Sequence, residues 1–109
     1  MLVTTLAAGV AACGQDASQS AAERGERAYR ANCAACHGND LAGTSLGPSR
    51  LGAGPSGLSD AEIRDVIRNG VADSGGEFGG MPGNSVLRDA QITEIIQHLR
   101  VVQQRAADS

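Results

Sequence analysis

Polar and apolar positions along the 109-residue chain repeat with a helical period in three places, and no run alternates Val, Ile, Thr or aromatic residues as a half-buried strand would. The first segment spans about Ala21 to Cys33 and is opened by Ser20-x-x-Glu23, in which hydroxyl and carboxylate satisfy each other's backbone amides. At about 100° per residue, Ala22, Gly25 and Tyr29 fall on one face of this helix. A glycine there costs helix stability unless another backbone needs the space, so Gly25 is expected to be a crossing point. A second helix opens at Ser59-x-x-Glu62, carries Ile63, Val66 and Ile67 on one stripe as a pocket wall, and stops at Asn69-Gly70. The third, from about Asp89 to Gln103, lines up Ile92, Ile95, Ile96, Leu99 and Val102, a face expected to cross the first helix at Gly25 and Tyr29. The intervals Asn39 to Gly57 and Gly70 to Gly83 have turn composition and no period, and the second holds six glycines and is expected to contain no element. The pattern predicts an all-α domain with three main helices.

The N-terminus obeys a different pattern. Met1 to Ala12 is uncharged, mostly apolar and without a helical stripe, the length of a signal-peptide h-region and too short to span a bilayer. It ends Val10-Ala11-Ala12-Cys13, small residues before a cysteine that resemble the site where bacterial lipoproteins are cleaved and acylated. The basic stretch expected ahead of such an apolar core is missing, the first basic residue being Arg24. The competing reading is an ordinary apolar helix with an inert Cys13, but the segment runs directly into a polar, aperiodic tether ending at Ser20. The expected organisation is therefore a signal peptide over 1–12, a tether over 13–20 with lipid on Cys13, a folded domain over 21–103 and a tail over 104–109. Such a chain would be exported and held at the periplasmic side of a bacterial membrane.

Composition narrows what the domain can be. One Tyr, one Phe, no Trp and 15 Gly leave little bulk for a core, so something else must fill it. Twelve acidic and nine basic residues give a net charge of −3, and the basic ones, all Arg, scatter without a patch for nucleic acid.

The filling is announced by Cys33-Ala34-Ala35-Cys36-His37, the spacing that covalent c-type haem attachment requires. Each thiol adds to one porphyrin vinyl group, the two intervening residues set the reach, and His37 is carried beneath the iron as proximal ligand. Zinc would want a second pair of ligands, and a thioredoxin-like dithiol would want strands around the motif; neither is present. A plain disulfide leaves His37 unexplained.

With Gly25-x-x-x-Tyr29-x-x-x-Cys33-x-x-Cys36-His37-Gly38, then Gly47-Pro48, Asn69-Gly70, Met81-Pro82 and the terminal helix, the chain resembles a small bacterial single-haem class I cytochrome c over roughly Ala22 to Val102. The resemblance implies a cytochrome c fold, helices and Gly-rich loops wrapped around one haem c. It implies His37 and Met81 as axial ligands, and Pro48 accepting a hydrogen bond from the His37 ring through its carbonyl. Two features depart from the family: the last helix carries His98 where an aromatic residue is usual, which puts its packing against Tyr29 in question, and the loop before Met81 is unusually glycine-rich. His98 is an alternative sixth ligand, but it lies at the edge of the apolar stripe, where a packing or surface histidine is the simpler reading. Met81 has a simpler reading too, as adaptable core, although its place before Pro82 favours ligation.

The function that follows is one-electron transfer to and from redox proteins by transient docking. The alternatives are a haem subunit of a larger membrane-bound oxidoreductase, or a peroxidase or gas-binding protein whose sixth ligand is labile. No hydrolytic constellation is visible, since the Ser and Asp residues fall in caps and turns. For the anchor, Cys13→Ser is expected to move the protein from the membrane to the soluble fraction with an unchanged haem spectrum. Recovery of the unmodified wild-type chain with Met1 intact, from a host that processes lipoproteins, would rule the anchor out.

Overall fold

The computed structural model describes residues 20–109; the expected signal peptide, Cys13 and nearly all of the tether lie outside the described residues. Helix α1 (Ala21–Asn32) starts from the reciprocal cap, with the Glu23 amide donating to Ser20 Oγ at 3.0 Å and the Ser20 amide to Glu23 Oε1 at 2.8 Å. After Cys33 the chain turns into α2 (Ala34–His37), one turn long. A second single-turn helix, α3 (Ala53–Ser56), follows in the interval expected to be loop. The Ser59 and Glu62 cap opens α4 (Asp60–Asn69), and Gly70, with φ of 78°, ends it. The longest helix, α5 (Asp89–Ala107), completes the chain.

Two further expectations are corrected. The Gly70 to Gly83 stretch does contain structure: β1 (Gly70–Val71) pairs antiparallel with β2 (Met81–Pro82), Gly70 opposite Pro82 and Val71 opposite Met81. Two residues are too few for an alternating pattern to register. The last helix also runs beyond Gln103 to Ala107, because Gln104, Arg105 and the alanines are good helix formers even after the apolar stripe has ended.

The principal packing is α1 across α5, with α4 also against α5. Gly25 is the crossing point: a Cβ there would collide with the Glu94 carbonyl and come within 3.1 Å of the Ile95 amide nitrogen. Tyr29, Ile63, Ile67, Ile92, Ile95 and Leu99 form most of the core. One turn from Gly25, the Tyr29 ring meets the His98 imidazole, centroids 5.4 Å apart and planes tilted by 51°. His98 therefore fills the place of the usual aromatic residue, buried to 7% exposure, although its position at the stripe's edge left a surface role open. Its Nε2 is buried with no hydrogen-bond partner among the described residues. Arginines pin the periphery: Arg68 bonds the Leu87 carbonyl at 2.6 Å and the Asp89 carboxylate at 2.8 Å, and Arg100 joins Asp60, Gln103 and the Leu58 carbonyl. Among the described residues no helix is long and apolar enough to cross a membrane.

Gly25→Val is expected to destabilise the fold by about 1 to 3 kcal/mol through overpacking, read as a lowered melting temperature. An unchanged melt would show that the backbones do not meet there. Burial holds the His98 pKa below its ordinary 6.5; Glu26 on α1 opposes this, while Arg30 on α1 and Arg105 on α5 reinforce it. The unfolded chain thus takes up the proton more readily than the folded one. The contribution of a neutral His98 is full above pH 6.5 and is lost as pH falls below it. His98→Phe is expected to flatten the acid limb of a stability–pH profile between pH 7 and about 5.

Candidate haem site

Local geometry at the end of α1 places the motif. The Cys33 amide still donates to Tyr29 O at 2.7 Å, but Cys33 itself has left helical geometry, and α2 then carries Cys36 and His37 on one tight turn. The Tyr29 hydroxyl donates to the Gly38 carbonyl at 2.7 Å, tying the far end of that turn back to the α1–α5 interface. Cys33 is partly covered and Cys36 exposed, and no disulfide joins them. Burial, with a smaller contribution from neighbouring Cys36, pushes the Cys33 thiol up to about 11, so it stays protonated at neutral pH.

The loop after His37 folds back over the motif by hydrogen bonding. The Gly43 amide donates to His37 O at 2.7 Å and the Thr44 hydroxyl to Cys36 O at 2.6 Å. Leu41, fully buried, adopts a left-handed φ of 67°, with its carbonyl accepting from the Arg50 amide at 2.7 Å and the Ser49 hydroxyl at 3.2 Å. A Cβ on Gly47 would lie 2.9 Å from Cys36 O, so this residue lets the loop press directly on the motif. The outcome is Pro48 beside His37, with the imidazole Nδ1–H donating to Pro48 O at 2.8 Å. That bond fixes the tautomer and leaves Nε2 as the lone-pair nitrogen.

A cavity of about 480 Å³ opens over this arrangement. Cys33, Cys36, His37, Pro48 and Met81, the residues expected to hold a haem, line it together. Ile63, Val66 and Ile67 of α4 supply one wall and Ile95 and Leu99 of α5 another. Met81 enters from β2, on an element separate from His37. His98 is not among the lining residues and spends its ring on Tyr29. Among the described residues no group of three or more His, Cys, Asp or Glu is placed to hold a metal ion by itself.

The family model described as cytochrome c oxidase, cbb3-type, subunit III matches residues 20–99. The chain belongs to this family. The matched stretch is a c-type cytochrome domain, a haem c-binding unit of electron transfer, and it covers α1, α4, the first part of α5 and every cavity-lining residue except Gln103. No curated protein matches the chain. The residues suit the haem this family binds: two thiols at the motif, one imidazole nitrogen already engaged so that the other can ligate, a thioether from β2, and branched aliphatic walls.

Sequence reasoning missed several lining residues, of which Arg50, Gln103 and Phe78 stand out. Arg50 lies in the wall, partly buried, its Nε donating to Ser49 O at 3.0 Å, and burial lowers its pKa. Gln103, buried near the end of α5, donates to Arg50 O at 2.9 Å and so holds that wall to the helix. Phe78 projects into the lining from the glycine-rich loop. Only Phe78 had a signal, a lone large apolar residue among glycines with no periodic stripe to join.

Proposed function

We propose that this cytochrome domain is a one-electron carrier holding a single haem c covalently through Cys33 and Cys36, with His37 and Met81 as axial ligands. The observation that supports it most strongly is the convergence of these four side chains on one apolar cavity, with the His37 ring pinned to Pro48 O at 2.8 Å. When bound, the haem supplies an iron that cycles between ferric and ferrous states. The Cys33 and Cys36 thiols would hold the haem through thioether bonds to its two vinyl groups, an addition of S–H that needs no oxidant. Pro48 holds the His37 ring in one orientation and raises the basicity of its ligating nitrogen. Met81 contributes a soft thioether, which favours the ferrous state and raises the potential relative to two imidazoles. Ile63, Val66, Ile67 and Leu99 give the cavity apolar walls that would keep water from the iron.

Family membership favours one refinement, in which the carrier works as a haem subunit docked to a membrane-bound oxidoreductase or exchanges electrons with one by brief encounter. Lipid on Cys13 at the periplasmic face of the membrane would hold it at that partner. A peroxidase or gas-binding role needs a sulfur that leaves easily, and the pairing of Met81 with Val71 speaks against that.

The test is optical and chemical together. The wild-type haem is expected to survive acid–acetone extraction, and the oxidised protein to show a methionine-sulfur charge-transfer band toward the red. Met81→Ala is expected to abolish the band, admit carbon monoxide and lower the potential within the span of about 0.8 V that axial ligation helps to set. Haem that washes out, or a wild type that already binds carbon monoxide rapidly and is unaffected by Met81→Ala, would overturn the assignment.

A further inference from the structure

By composition the segment from Gly70 to Gly83 is the most pliant in the chain, a poor place from which to present a ligand. Its glycines, however, divide into two groups. Those flanking Met81 are packed against backbone: a Cβ on Gly80 would lie 2.6 Å from Val71 O and 2.8 Å from the Asp73 amide nitrogen. On Gly83 it would lie 2.6 Å from Arg68 O and 2.7 Å from the Asn69 carbonyl carbon. On Gly70 it would strike the carbonyl of Met81 itself and come 2.6 Å from the Gly83 amide nitrogen. At the tip of the loop, by contrast, Gly76 has nothing within 4 Å of such a position.

We propose that Gly70, Gly80 and Gly83 are positioning residues for Met81, a clasp in which missing side chains let β2 lie backbone to backbone on β1 and on the end of α4. The Met81–Val71 register and the hydrogen bond from the Asn84 amide to Ile67 O at 2.9 Å close the clasp on either side of the methionine. Backbone cannot swing aside as a flexible side chain can, so any Cβ at these three sites must displace the strand that carries Met81. The methionine side chain has three rotatable bonds and little preference of its own. Fixing its Cα is what delivers the sulfur to one place without ordering the rest of the loop.

The inference rests on Met81 being an iron ligand, and the experiment separates the two claims. Holoprotein carrying Gly80→Ala, Gly83→Ala or, as control, Gly54→Ala, at a position with open space and outside the cavity lining, is compared with wild type by the methionine-sulfur band, carbon monoxide binding and thermal melting. The nearest neighbours of a Cβ on Gly80 belong to its own loop, so Gly80→Ala decides the matter if Gly83→Ala does not fold. The expected result is loss of the band and gain of carbon monoxide binding in Gly80→Ala and Gly83→Ala, with Gly54→Ala like wild type. A lowered melting temperature with the band intact would reduce these glycines to a structural role and overturn the proposal. So would loss of the band in Gly54→Ala. Absence of the band in the wild type would remove Met81 as ligand, and the inference with it.

Discussion

The contact on which the rest depends is that of two backbones, α1 against α5, at Gly25. A side chain there would overlap the Glu94 carbonyl, so its absence sets how near the helices come. That distance puts Tyr29, one turn later, against His98 and lets its hydroxyl reach the Gly38 carbonyl. The phenol spans the interface and the end of the haem-binding motif, so Cys33 to His37 inherit their place from the helix crossing. Ile95 and Leu99 serve both purposes, packing in the core and facing the cavity.

The motif's other side is held by polar contacts instead of apolar burial. A loop with few large side chains cannot bury its way into a fixed shape, and here each turn is secured by a named bond: Gly43 to His37, Thr44 to Cys36, Arg50 to Leu41. Leu41 is the exception, a single apolar anchor whose burial sustains a left-handed backbone. Together these bonds place the Pro48 carbonyl opposite the His37 ring.

For a carrier, what matters is that little rearranges as the electron arrives. His37 is held by its hydrogen bond to Pro48, and the Met81 backbone by a two-residue ladder flanked by glycines in close contact with neighbouring backbone. The two holds are independent, built from the ends of different elements, and the apolar wall of α4 lies across the cavity they share. The low content of bulky residues fits a domain of this family, because a bound cofactor can supply bulk that a small scaffold lacks.

The amino-acid sequence by itself determined what is local or periodic. Both capping boxes, the stripe on α4, the face of α5 and the Gly25 crossing were legible because each is a spacing within one helix, and the cysteine–histidine motif was legible because covalent attachment demands that spacing. Tertiary structure alone decided the rest. Leu41 entered the core from an aperiodic loop, and His98 became an interface residue because Tyr29 happened to face it across the crossing. Arg50, Gln103 and Phe78 joined the cavity wall from three separate segments, and β1 met β2 over too few residues to alternate. Even the glycines around Met81, flexible by composition, proved to be close-packed, since whether a missing side chain means freedom or contact depends on what lies beside it.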